Sequence, residues 1–290
     1  MNILVTGSNG QLGSEVKDIS ENYKHFNFYF MDLPELDICN TKQLALFFKE
    51  NNIEAVINCA AYTAVDNAEK DSNTAHKVNA EGVFNLVNEL DKVSGKLIQI
   101  STDYVFNGNN FLPYNEFDKV NPIGVYGKTK RDGELAVINS NIDGIVIRTS
   151  WLYSAYGANF VKTMLKLGNK REELGVIFDQ VGTPTNASDL AKICLDILAG
   201  SAEKNINAKG KVYHYSNEGV ASWYDFATSI MAIGKIDCVV KPIETKDYPT
   251  LAKRPHYSVL NKSKIKTDFG IKIPYWKDSL KECISKLNNK

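Results

Sequence analysis

Short apolar runs alternate with segments of helical periodicity through the first half of the chain. Ile3–Thr6, Asn27–Met31, Ala55–Ala60, Leu97–Ser101 and Ile145–Thr149 are compact, and several are apolar at consecutive positions. Consecutive apolar residues predict strands covered on both faces, whereas strict alternation predicts one wet face. Helical spacing falls between them, near Leu12–Ser20, Lys42–Asn51, Thr74–Lys92 and Val125–Asn139. A β-α-β-α succession of this kind predicts a parallel sheet with right-handed crossovers, so the fold class is α/β and doubly wound.

After about Trp151 the rhythm loosens. A helix over Ala158–Gly168 precedes a strand over Val176–Asp179, the string "VGTPT" and a helix over Ser188–Leu198. Then come "VYHYSN", a helix over Ser222–Ile233, a proline- and charge-bearing stretch at Lys241–Pro255, and an amphipathic helix from Trp276. No linker or repeat separates the halves. Residues 1–150 are therefore expected to form the sheet domain. Residues 151–290 form mainly a smaller α/β lobe, with some segments returning to the sheet.

Composition narrows the functional classes. Lys+Arg and Asp+Glu are equal at 34 each, which gives no overall electrostatic pull toward nucleic acid or membrane. No apolar run is long enough to span a bilayer, and "MNILVTG" leads straight into a strand, so a cytoplasmic location is expected. The five cysteines are scattered without a CxxC pair, which fits buried thiols better than a disulfide or zinc framework.

The first strand runs into "TGSNGQLG", with Gly7, Gly10 and Gly13 at regular spacing where a helix begins. Glycines there allow a tight turn and close approach of backbone to a diphosphate, whose charge the helix start stabilises. This is the context of a dinucleotide site, so the sheet is expected to be Rossmann-type. Asp32, at the end of the second strand, is placed to accept hydrogen bonds from an adenosine ribose. A carboxylate there repels a 2′-phosphate and leans toward NADH, with NADPH still open. Leu36–Ile38 and Ala60–Asp66 follow the second and third strands and are expected to line the groove.

"STDYVFNG" begins at the end of the fourth strand and brings Thr102 and Asp103 into the crevice. Tyr126 and Lys130 in "VYGKTK" stand four apart, on one face of a helix. Spacing alone also fits an ordinary half-exposed helix. Beside a dinucleotide, however, the ammonium is expected to stabilise the phenolate, lower the phenol below its usual ~10, and fit it for general acid catalysis.

These residues resemble the extended short-chain dehydrogenase/reductases. The strings "NCAAYTAVDNAE", "STDYVFNG", "RTSWLYSAYGANFVKTML", "DQVGTPT" and "RPHYSVLN" narrow the resemblance to the dTDP-4-dehydrorhamnose reductase family, over nearly the whole chain. The resemblance implies reduction of the C4 ketone of dTDP-4-dehydro-β-L-rhamnose by NADPH or NADH, giving dTDP-L-rhamnose for surface polysaccharide. It implies that Gly10, Gln11, Leu12, Asp32, Asp37, Ile38, Ala61, Tyr62 and Thr63 contact the dinucleotide. Val65, Thr102, Asp103 and Trp151 would face the sugar, Tyr126 would donate the proton and Lys130 would support it. Arg254 suits the substrate diphosphate, and equally a surface salt bridge.

Some members dimerise around magnesium held by three glutamates. Glu15 matches the first of these and Asp189 stands near the second; no third ligand is found, and both also read as solvated carboxylates near helix starts. Three other activities compete. A sugar-nucleotide dehydratase would carry Thr-Asp-Glu, where Tyr104 stands here. A nucleotide-sugar epimerase would share the Tyr/Lys pair but recycle its cofactor. A non-catalytic dinucleotide-binding regulatory subunit, like that of methionine adenosyltransferase, would bind without turnover.

Overall fold

The computed structural model describes residues 1–200 and 209–289. Residues 201–208 and 290 belong to the expected C-terminal lobe and lie outside the described residues. In chain order the first half runs β1 (Asn2–Thr6), α1 (Gln11–Ile19), β2 (Asn27–Met31), α2 (Thr41–Asn51), β3 (Ala55–Asn58), α3 (Val65–Ala68), α4 (Ser72–His76), α5 (Gly82–Asp91), β4 (Lys96–Thr102), α6 (Val125–Ile138) and β5 (Asp143–Thr149). The second half runs β6 (Leu152–Tyr153), α7 (Phe160–Gly168), β7 (Glu173–Ile177), β8 (Val181–Gly182), β9 (Thr185–Asn186), α8 (Ala187–Gly200), β10 (Lys211–His214), β11 (Ala221–Ser222), α9 (Trp223–Gly234), β12 (Val239–Ile243), α10 (Ser263–Phe269) and α11 (Trp276–Asn288).

Six parallel strands form the main sheet in the order β10-β5-β4-β3-β1-β2. The order reverses between β1 and β3, and ligands bind at such a switch point, beyond the strands' carboxyl ends. The central strands are largely buried because helices cover both faces. Ile3, Val5, Ile57 and Ile147 pack toward α1 and α8, while Leu4, Val56, Leu97 and Val146 pack toward α2, α5 and α6. This is why their sequences are continuously apolar. A second core joins α7, α9 and α11 through Val161, Phe226, Ile230, Trp276 and Leu280.

Several boundaries differ from the sequence expectation. The helix expected over 74–92 starts at Ser72 and is interrupted by a π turn at Lys77–Glu81. The strand expected at 176–179 lies earlier, at Glu173–Ile177, because it pairs in parallel with β12. β12 falls at the start of the proline-bearing stretch. Its only ladder partner among the described residues is β7, and an edge position tolerates Pro242, which has no N–H to give.

Candidate active site

A crevice of about 1040 Å³ opens where β1, β3, β4 and β5 end, and it runs across to the second lobe. Its phosphate end is the turn after β1. Gly7 has φ +59, and a Cβ there would stand 2.7 Å from the Ala60 backbone nitrogen. A Cβ on Gly13 would meet Gly7 O and Ser8 Cα at 2.5 Å. Gly13 therefore lets α1 abut the turn and does not itself line the crevice, while Gly7, Gly10, Gln11 and Leu12 do. α1 starts from Gly10 with no side chain capping it, which leaves its first N–H groups for an anion. Gln11 Oε1 is buried without a partner at the same end. The glycine turn and the open helix start suit a dinucleotide's diphosphate, while Gln11 Oε1, an acceptor, suits a hydroxyl or N–H donor of the same ligand.

Asp32, Asp37 and Ile38 line the far side of the groove. Asp32 also shapes it, accepting from Asn9 N at 2.9 Å and Leu33 N at 2.8 Å. On the other side, Ala61, Tyr62, Thr63 and Val65 follow β3. Asn79, buried within the π turn, pins this loop. Its Oδ1 accepts from Tyr62 N at 2.9 Å, and its Nδ2 donates to Tyr62 O and to Thr129 Oγ1, both at 3.1 Å. Sequence reasoning misses Asn79, since nothing in the pattern "KVNAEG" marks a break in helical hydrogen bonding. It also misses a buried ladder across the strand ends, where Thr6 Oγ1 donates to Asn58 Oδ1 at 2.6 Å and Asn58 Nδ2 to Gln99 Oε1 at 2.7 Å.

At the chemical end, Thr102, Asp103, Tyr126 and Lys130 converge on the crevice. Thr102 lies close enough to the Tyr126 phenol to favour its ionised form. Thr102 Oγ1 donates to Asp103 Oδ1 at 3.0 Å and accepts from Tyr104 N at 3.2 Å. The other oxygen of Asp103 is buried without a partner, and burial pushes the carboxyl up to about 6 despite the Thr102 bond. Tyr104 packs edge-on against Tyr126, ring centroids 5.6 Å apart, where a dehydratase would hold its glutamate.

The expected acidification of Tyr126 by Lys130 is corrected. Burial pushes the phenol up to about 12, with Thr102 lowering it and Asp103 raising it. Lys130 does not contribute, because its ammonium is turned to the strand and donates to the Ile100 carbonyl at 2.7 Å. Burial brings Lys130 itself down to about 8, against an upward pull from Glu134.

Trp151 forms the crevice wall toward the second lobe, stacked at 3.6 Å and 9° on Trp223, with Phe160 tilted against the second ring. Trp223 escapes sequence reasoning: "SWYDFA" announces a helix start through the Ser222/Asp225 capping box and gives no sign that the indole faces a crevice. Arg254 reaches the crevice but is held by Asp66, with Nη2 donating at 2.7 Å and Nη1 at 3.3 Å.

Glu15 and Asp189 do not lie at the crevice; the reading of Glu15 as a solvated carboxylate is corrected, while Asp189 stands half-buried in the first turn of α8. Glu15 is 1% exposed; its Oε1 accepts from Ser154 Oγ and its Oε2 from the Lys286 ammonium, both at 2.6 Å. Lys286 also donates to Asp18 at 2.6 Å. Asp189 Oδ2 accepts from Asn217 Nδ2 and Ser279 Oγ, both at 2.6 Å. An ammonium already sits on the carboxylate that a magnesium ion would need. Among the described residues no cluster of three His, Cys, Asp or Glu side chains is suited to a metal. These residues do not fit the ion.

A parallel sheet with a glycine turn at its switch point, and a Tyr-x-x-x-Lys helix beside the end of β4, defines a Rossmann-type protein of the extended short-chain dehydrogenase/reductase class. The family described as "RmlD substrate binding domain" matches residues 1–289, and the chain belongs to that family. A dTDP-4-dehydrorhamnose reductase from Aggregatibacter actinomycetemcomitans is 39% identical over 288 residues, spanning 96% of this chain and 97% of its own. The crystal structure of a dTDP-4-dehydrorhamnose reductase from Clostridium acetobutylicum is 43% identical, with a TM-score of 0.93 over 99% of this chain and 100% of that one. The enzyme of that name from Bacillus anthracis, solved in complex with NADP, is 36% identical, with a TM-score of 0.92 over 98% and 99% of the two chains.

Proposed function

We propose that the protein reduces the C4 ketone of dTDP-4-dehydro-β-L-rhamnose to dTDP-L-rhamnose with NADPH or NADH, in the making of surface polysaccharide. The observation that carries this reading is that Tyr126, Thr102 and Lys130 line one crevice floored by the glycine turn, with the Lys130 ammonium held on the Ile100 carbonyl beside them. The family relationship agrees with it.

The dinucleotide, when bound, supplies the hydride. The chain's own residues supply the rest. Gly7, Gly10, Gln11 and Leu12 hold the diphosphate at the start of α1, with Asp32, Asp37 and Ile38 toward the adenosine and Ala61, Tyr62 and Thr63 toward the nicotinamide. Tyr126 gives its proton to the oxygen of the ketone as negative charge develops there, and Thr102, its hydroxyl turned from Asp103, donates to the same oxygen. A phenol raised by burial stays protonated at neutral pH, as a proton donor must. Lys130 adds positive charge beside the nicotinamide ribose. Asp103 accepts from a sugar hydroxyl through its unpartnered oxygen, Val65 and Trp151 bound the sugar, and Arg254 turns from Asp66 toward the substrate diphosphate. Cytoplasmic location and homodimer formation belong to the same reading. None of the described helices is long and apolar enough to cross a membrane.

The test is stoichiometry. Following absorbance with the keto sugar made in situ, one NADPH or NADH should disappear per product formed. An epimerase would show no net loss, and a regulatory subunit no reaction. Tyr126→Phe should lose at least ~10²-fold in turnover while retaining cofactor affinity. Near-normal turnover in that variant would refute the assigned proton donor.

A further inference from the structure

Glu134 does not itself line the crevice and meets it only through Ser101, yet it is 0% exposed and sits one turn after Lys130 on α6. Parallel register sets Ser101, Arg148 and His214 in a row across β4, β5 and β10. Glu134 meets that row. Arg148 clasps it through Nε at 2.7 Å and Nη2 at 2.8 Å, Arg131 Nη1 donates at 2.7 Å and Ser101 Oγ at 2.6 Å. Lys130 and Glu134, one turn apart on α6, thus meet Ile100 and Ser101, two consecutive residues of β4.

We propose that Glu134 is a positioning residue for the reduction: it ties the end of β4 to α6 and supplies the counter-charge for the buried Lys130 ammonium. This rests on the reading of Lys130 as the positive group beside the cofactor. Lys130 is acted on by Glu134 from its own helix and by Cys59 from the end of β3. Burial pushes the Cys59 thiol up to about 12, so Glu134 is the anion of the two. Asp103, beyond β4, acts on Tyr126, and Asp32 acts on Cys59. Around Glu134 stand Arg131 on α6 and Arg148 on β5, with His214 of β10 at 3.3 Å from Arg148 and Glu116 accepting from His214 N. Burial raises the Glu134 carboxyl, but Arg148 outweighs it and keeps the group ionised. Loss of that charge favours a neutral Lys130.

The experiment is the pH dependence of NADPH binding, read by nicotinamide fluorescence, alongside that of kcat/KM on the whole chain. In the wild type both should weaken as pH rises through about 8. Glu134→Gln should move the midpoint down by about one pH unit, and Glu134→Asp, which retains the charge, should restore most of it. Ser101→Ala should leave the midpoint in place and lower kcat several-fold. Because Glu134→Gln leaves Arg148 buried without its partner, Glu134→Gln/Arg148→Met serves where the single variant does not fold; its midpoint should also lie below the wild type. An unmoved midpoint in the folded variant, with the alkaline limb abolished by Lys130→Met, overturns the role of Glu134 alone. If Lys130→Met binds NADPH as the wild type does and keeps the limb, the reading of Lys130 falls and takes this proposal with it.

Discussion

Trp151 has φ +48, in the left-handed region where a bulky side chain is strained. Its neighbours hold it there. Its carbonyl accepts from Thr185 N at 3.1 Å, its ring stacks on Trp223, and Gly182 leaves it room, since a Cβ there would stand 2.7 Å from Trp151 Cε2. Trp223→Ala removes the stacked face and frees the wall. KM for the keto sugar should rise about tenfold, in line with the ~1–1.5 kcal/mol of an aromatic contact, with NADPH affinity unchanged. Paired titrations of sugar and NADPH check this, and a parallel loss of both would contradict it. Gly7→Ala places a Cβ against Ala60 at a positive φ, and should cost roughly 2 kcal/mol in urea unfolding besides weakening NADPH. A variant with unaltered stability would show that the turn relaxes.

At the scale of elements, legibility follows covalent proximity. β1 to β5 and their helices are readable because strands covered on both faces spell consecutive apolar residues. The glycine turn and the Tyr126/Lys130 pair are readable because their partners lie within a few residues. Asn79, Trp223 and Glu134 are not, because each acts on residues far away in sequence. β12 is hidden by its proline and α10 by its brevity. The clamp between α1 and α11 is the hardest to foresee, since Lys286 reaches back to Glu15 and Asp18. Lys286→Met leaves a buried carboxylate without its cation. Discounted for the partial exposure of the lysine, the cost in urea unfolding should be ~1–3 kcal/mol. Magnesium or a chelator should leave the wild type's stability unchanged; a chelator-sensitive unfolding midpoint would show that the fold holds the ion after all.

For the whole molecule, the buried row behind the site sets an acid limit. Burial, with Arg148 adding to it, brings His214 down to about 3. Below pH 6.5 the unfolded chain takes up a proton at this position that the folded chain refuses, so stability falls as pH falls. Between about pH 6.5 and about 4.5 the loss from this group is roughly 2–3 kcal/mol. His214→Gln should flatten that limb in urea unfolding, and an equally steep limb in the variant would place the sensitivity elsewhere. Comparable burial isolates Lys130 from bulk water, where its charge would act more weakly, while Tyr126 stays half-buried at the crevice wall.

Hydride delivery to the C4 ketone is the claim on which the functional reading rests, and isotope transfer tests it most directly. With NADPH deuterated at the reactive nicotinamide carbon, the product should be dTDP-L-rhamnose carrying one deuterium at C4 for each NADPH consumed, by NMR. Product without deuterium, or conversion without net loss of NADPH, would contradict it.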